Sequence, residues 1–343
     1  MKHYCRVIVL SIIIIFSVWT AYGQEPPKFA ELGDFKLESG SVIKGCKVAY
    51  RVFGTLNADR SNVVLVPTWF AGTSRELIDL GIVAPSGIID TTKYYAVTVD
   101  AIGNGVSSSP SNSASQPGAS FPFFTNRDIV NAQYRLLTGI LRIKHIFAVA
   151  GLSMGGMQVF QWLVAYPNFM DKAVSIAGSP WLTSYDLLVW SAEIQVINAS
   201  RKCKAGNDEA MKAVTPIHLI NVWSPRYRAT NTAVKDFQEF LGGMEKSLSK
   251  YNATDWVWQL KAIMAQDIKK DFGGSAQKAA TAVKAKTLVI TSGQDYAVYS
   301  GPAKEFASLI KADSAELAGD CGHLSFICEA DKVKKLVNAF FAK

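Results

Sequence analysis

Histidine is scarce in this chain: only His3, His145, His218 and His323 occur among its 343 residues. No CxxC pair and no His-x-x-His spacing exists, which argues against the common zinc frameworks and gives no metal site. The formal net charge is +8, yet Lys and Arg are scattered and no basic stripe alternates with aromatics. A nucleic-acid partner therefore has no support. A solvated basic surface, weakly attractive to anionic substrates, accounts for the charge. There is no internal repeat and no low-complexity tract. Only one apolar run approaches the length of a membrane span. A composition of 49% hydrophobic and 19% charged residues fits neither a disordered chain nor a coiled coil. It suits a large single core, or a core plus a lid.

The one long apolar run, residues 7–18, follows Lys2 and Arg6 and precedes Ala21-Tyr22-Gly23. This is the layout of a secretory signal peptide, residues 1–23, cleaved after Gly23. An uncleaved anchor is the competing interpretation, but the run falls short of the roughly 20 apolar residues a span needs. The expectation is export to a periplasm or the medium, with no membrane span left after cleavage. Cys5 leaves with the leader, and no cysteine follows the cleavage site to carry a lipid. Cys46, Cys203, Cys321 and Cys328 remain, an even number that permits disulfides in an exported protein. Cys321 and Cys328 are close enough in sequence to bridge, although spacing alone does not establish the geometry.

Residues 35–37 and 47–53 have strand character around a turn at 41–45. Runs 62–66 and 94–99 read as buried strands, with mixed helical character at 77–89 between them. Gly, Ser, Asn and Pro dominate 101–120, which makes it a loop. Residues 127–141 place Ile129, Val130, Tyr134, Leu137 and Leu141 on one side of a helix. A strand at 147–150, a helix at 155–165 and a strand at 173–176 follow. Strands alternating with helices indicate a mostly parallel sheet covered on both faces, an α/β fold. The alternation stops at 181–282, a helical stretch holding Trp181, Trp190, Trp223, Trp256 and Trp258. Strands return at 287–291 and near 315–317, and a last helix spans 330–341. The expected organisation is a leader, a core of 24–180 and 283–343, and an inserted helical cap of 181–282. The simplest role for most of the cap's aromatic residues is packing the cap's own core.

Between the strand at 147–150 and the helix at 155–165 lies Gly151-Leu152-Ser153-Met154-Gly155. A serine hydroxyl is a weak nucleophile until it is exposed and paired with a base. A sharp strand-to-helix turn exposes it, and glycines two residues before and after let the chain close around it. The competing role for Ser153 is a simple helix cap. Among the histidines, His3 belongs to the leader. His145 sits at the sheet edge opposite Ser153, and His218 falls in the cap. His323, in a loop between the last strand and the last helix, lies on the same edge as Ser153 and is the candidate base. Asp295, just past a strand end on that edge, is the candidate orienting carboxylate. Asp320 is the second choice and Asp100 a third. Two backbone donors are expected for the oxyanion. One is the N–H of Met154. The other comes from loop 67–73, with Phe70 first and Trp69 next.

Several stretches resemble the homoserine O-acetyltransferase-like branch of the α/β-hydrolases. These are residues 48–57, 125–133, 151–158 and 251–260, with Gly322-His323 and Phe326 at the histidine loop. The Ser-Met-Gly-Gly-Met-Gln run at 153–158 is the most specific. The resemblance implies an α/β-hydrolase fold with the triad order Ser153, Asp295, His323. It also implies a double displacement in which Ser153 takes an acyl group that water or an alcohol removes. In the transferases, acetyl-CoA donates, homoserine accepts, and an Asp usually follows the catalytic His; here Leu324 stands there. Their oxyanion loop usually begins His-Ala, where this chain has Thr68-Trp69. The expected activity is hydrolysis of a small ester without a cofactor. An O-acyltransferase using acetyl-CoA is the first alternative, and a non-catalytic binding protein of the same fold is the second.

Overall fold

The structure, a computed structural model, describes residues 25–343, so the leader expected at 1–23 lies outside the described residues. The first two strands, β1 (Lys28–Lys36) and β2 (Val42–Phe53), form an antiparallel ribbon. Then come β3 (Val63–Pro67), the two-residue strands β4 (Val83–Ala84) and β5 (Ile89–Asp90), and β6 (Tyr95–Val99). The rest are β7 (Ile146–Leu152), β8 (Met170–Ile176), β9 (Lys286–Ser292) and β10 (Asp313–Leu317). The main sheet has the order β1-β2-β6-β3-β7-β8-β9-β10, and β4 and β5 pair separately. From β6 to β10 every pairing is parallel.

Alternation explains why the apolar runs become central strands. In β3, Val63 and Leu65 join the core on one face, and Val64 and Val66 join the core on the other. Burying one such side chain stabilises the fold by about 1.5–3 kcal/mol. One face is covered by the helices Asn126–Arg135 and Met154–Ala165, whose Ile129, Phe160 and Trp162 are buried. The other is covered by the last helix, Ala330–Ala342, through Val333, Val337 and Phe341.

Between β8 and β9 the described chain adds nothing to the main sheet. It forms the helices Ser184–Lys202, Asn207–Val222, Pro225–Asn231, Phe237–Leu248, Ala253–Met264 and Ala276–Ala282. An isolated bridge pairs Trp181 with Asp267. Beside it the buried Gln266 amide donates to the carbonyls of Met157, Ser179 and Pro180, each at 3.2 Å. Its oxygen accepts from Asn126 at 3.0 Å and Gln161 at 3.2 Å. One side chain thus ties the helical block to the helix that follows Ser153.

The structure departs from the expected elements at several places. The first turn lies at 37–41 rather than 41–45, because Gly40 takes the left-handed backbone (φ 85°) that closes it. Residues 77–89 are mostly non-helical: a short helix, Ser74–Asp79, gives way to β4 and β5. The helix expected at 127–141 is α-helical only to Arg135 and continues as a π-helical turn, Leu136–Ile140. The helix Gly301–Leu309, between β9 and β10, carries no counterpart in the sequence-based expectations. Among the described residues no helix is long and apolar enough to cross a membrane.

Candidate active site

Ser153 follows β7 directly and begins the helix Met154–Ala165 with φ 55° and ψ −121°, a backbone that a non-glycine residue adopts only under constraint. The constraint is steric. A methyl group on Gly151 would lie 2.3 Å from the Gly155 carbonyl oxygen. One on Gly155 would lie 2.7 Å from the Pro67 carbonyl oxygen. The Ser153 N–H is held by the Ile176 carbonyl at 2.8 Å, which fixes the turn to β8.

The hydroxyl of Ser153 lies 2.7 Å from His323 Nε2. On the far side of the ring, His323 Nδ1 lies 2.7 Å from Asp295 Oδ2. The other Asp295 oxygen accepts the N–H groups of Ala297 (3.0 Å) and Val298 (2.8 Å), which fixes the plane of the carboxylate. The His323 and Asp295 side chains are only 6% and 2% exposed, so water does not compete for their hydrogen bond. Nδ1 faces a carboxylate, so it carries the hydrogen, and Nε2 is left to accept from the serine hydroxyl.

The histidine loop is restrained as tightly. Gly322 has φ 70°, and a methyl group there would lie 2.6 Å from the Ser224 nitrogen. Its carbonyl accepts from Ser292 (2.7 Å) and Ser325 (2.8 Å). A disulfide joins Cys321 to Cys328 across the loop. Cys46 and Cys203 are free.

The other acidic candidates lie elsewhere. Asp320 approaches Arg226 at 3.7 Å, while Asp295 is the acid that meets His323. Asp100 supports loop 67–73 instead: it accepts from the Ser74 N–H (2.8 Å), the Ser74 hydroxyl (2.5 Å) and Asn104 (3.0 Å). Burial raises its pKa above the ordinary carboxylate value. Within the loop, the N–H groups of Thr68, Ala71, Gly72 and Thr73 are bonded to Val99, Gln259, Trp69 and Glu76. Trp69 and Phe70 are left. The N–H of Met154, at the first helical position, stands outside the helix's own hydrogen-bond ladder.

Ser153 and His323 open into a mostly apolar cavity of about 170 Å³. Phe70 and Leu324 line it, together with Trp190, Trp256 and Tyr251 from the helical block. Phe70 meets Trp256 edge-on at 4.5 Å. Burial, with Glu76 nearby, pushes the Tyr251 hydroxyl up to about 12, so it stays protonated at neutral pH. His145 lies apart, paired with Asp171 at the start of β7 and β8. His218 does not: although it belongs to the helical block, it lines the same cavity as Ser153. Sequence reasoning passed over it. The one available signal was Glu193, an acid among mostly apolar residues in the middle of its helix. Among the described residues no group of three or more His, Cys, Asp or Glu is placed to hold a metal ion.

The alpha/beta hydrolase fold family matches residues 89–330. An ethyl acetate hydrolase of Pseudomonas veronii is 32% identical over 297 residues, covering 81% of this chain and 83% of that protein. A homoserine O-acetyltransferase of Methanosalsum zhilinae is 28% identical over 354 residues, covering 90% and 70%. Among solved structures, an acetylester hydrolase from Corynebacterium glutamicum superposes with a TM-score of 0.86 at 26% identity, covering 93% of this chain and 96% of that one.

Proposed function

The chain belongs to the alpha/beta hydrolase fold family, within its esterase and homoserine O-acetyltransferase-like branch, and from that premise we propose that it hydrolyses small carboxylic esters through an acyl-enzyme on Ser153. The observation that carries the proposal is the hydrogen-bonded chain from Ser153 through His323 to Asp295. As Ser153 Oγ attacks the acyl carbon, its proton passes to His323 Nε2, and Asp295 stabilises the imidazolium. The N–H groups of Met154 and Phe70 hold the oxyanion. His323 then protonates the leaving alcohol, and a water, deprotonated by the same nitrogen, releases the acid. No cofactor takes part. The cavity of about 170 Å³ suits a short acyl group and a short alcohol.

Water is preferred over homoserine as acceptor. Leu324 lines the cavity where a carboxylate would be needed to hold an ammonium group. The alternative, an acetyl-CoA-dependent O-acyltransferase, draws its support from the homoserine O-acetyltransferase relatives. Export through the leader at 1–23 belongs to the same proposal. Sequencing of the mature N-terminus would find Gln24 first, and an intact Met1 would end the idea.

The test of the nucleophile is Ser153→Ala on the purified protein. Ester turnover is expected to fall by about 10⁴-fold or more, with the fold and thermal midpoint retained. Labelling by a fluorophosphonate is expected on wild-type Ser153 and absent from the variant. Undiminished turnover in the variant would remove Ser153 from the mechanism. Formation of O-acetylhomoserine from acetyl-CoA and homoserine, faster than ester hydrolysis, would favour the transferase.

A further inference from the structure

The cavity beside Ser153 contains polar atoms that the proposed reaction does not use. Glu193 is fully buried in the helix Ser184–Lys202. Its carboxylate accepts from Trp256 Nε1 at 2.9 Å, His218 Nδ1 at 3.1 Å and, less closely, Asn221 at 3.4 Å. A carboxylate facing Nδ1 keeps the hydrogen on that nitrogen. Nε2, which meets no hydrogen-bond partner among the described residues, is left with its lone pair. The ring is held between Trp256 (4.9 Å) and Phe70 (6.1 Å), so it has one orientation. Trp190 lines the same cavity, and its buried Nε1–H has no acceptor among the described residues.

An apolar cavity whose lining side chains include one free acceptor and one unpaired donor is complementary to a hydroxyl, which gives one hydrogen bond and takes another. An alkyl group in the same place leaves both protein atoms unpaired, and such sites reject the analogue that lacks the hydroxyl. We infer that His218, oriented by Glu193, and Trp190 form a polar subsite for a hydroxyl group on the substrate, so that the preferred esters are short and hydroxylated. The inference rests on the ester-hydrolase proposal for Ser153. His218 and Trp190 are specificity residues here. They do not replace His323.

Isosteric ester pairs test it. On the alcohol side the pair is 2-hydroxyethyl acetate and propyl acetate; on the acyl side it is ethyl 3-hydroxypropanoate and ethyl butanoate. The wild type is expected to favour the hydroxylated member of one pair at least tenfold in kcat/KM. His218→Phe and Trp190→Phe are expected to bring that ratio toward one. His218→Gln, which keeps a polar atom near the position of Nε2, is expected to restore part of it. A general structural role would lower both members of a pair together and leave the ratio unchanged, and that result overturns the subsite, as does a wild-type ratio near one in both pairs.

A binding measurement separates this inference from the hydrolase proposal. In the Ser153→Ala protein the Trp190 indole N–H resonance is assigned by its loss in an added Trp190→Phe. Titration with the preferred hydroxylated ester is expected to move it downfield, and its isostere is not. A shift without turnover by the wild type would leave the subsite standing and sink the hydrolase. Turnover of the esters with no shift, or the same shift with both, would do the reverse.

Discussion

The turn at Ser153 and loop 67–73 sit side by side and are held in different ways. The turn is shaped by backbone against backbone, with glycines where a methyl group would collide at 2.3 and 2.7 Å. The loop is held by polar side chains from distant segments: Asp100 on Ser74, Gln259 on the Ala71 N–H, and Gln158 on the Thr68 carbonyl at 3.0 Å. Steric control fixes the turn through backbone atoms of the turn itself and of Pro67 packed beside it. Polar control needs partners far away in the chain and leaves a buried group unsatisfied when one is lost.

The contrast breaks most readily at Gly151. Gly151→Ala is expected to cost about 3 kcal/mol or more, seen as a lowered thermal midpoint together with lost turnover. Gly242→Ala is its control: it lies in the helix Phe237–Leu248 with nothing within 4 Å of the added methyl, and should stabilise by about 0.5–1 kcal/mol. If both variants melt with the wild type, the turn is not set by its glycines.

Gln259→Leu probes the loop. It strips the acceptor from the Ala71 N–H and the donor from the Ile102 carbonyl, at about 1–3 kcal/mol for each group left buried. Turnover should drop by about 10–100-fold, as when an oxyanion donor is misplaced. Chemical denaturation and steady-state kinetics read the two effects. Full turnover in a destabilised protein would show that the loop does not need this support to do its work.

The smallest effect is expected at Asp100. Its folded pKa is raised, chiefly by burial, so the native state keeps the proton to higher pH than the unfolded chain does. The stability contributed by this group is therefore fully present below the unfolded pKa and is lost as pH rises through the folded value. Asp100→Asn removes that slope. Relative to wild type the variant should gain stability as pH rises through the window, read from denaturation at a series of pH values. Parallel pH profiles for the two proteins would count against this account.

The same contrast explains what could be seen in the sequence. The turn at Ser153 is local, so its glycines and the strand and helix around it are visible in a short window. His323 was reachable because histidines are so few, and Asp295 because it follows a strand end; the structure brings both to Ser153. The support of loop 67–73 was not visible, because Asp100 reads as an ordinary strand end and Gln259 as one more polar residue on a helix. Asp100 was weighed only as a partner for histidine. His218 was set aside because it falls in the helical stretch 181–282, whereas its neighbours in space are Glu193 and Phe70. Short breaks such as the π-helical turn at Leu136–Ile140 depend on packing that periodicity does not encode.

Gln266 has a consequence for how a substrate arrives. Its amide bonds both to the helix behind Ser153 and to the segment leading into the helical block, so the neck of the block is tied to the helix that follows the nucleophile. Swinging it aside as a door would strand five hydrogen bonds on one buried side chain. The neck of the block is therefore held where the chain enters and leaves it, and any opening of the cavity has to come from its helices further out.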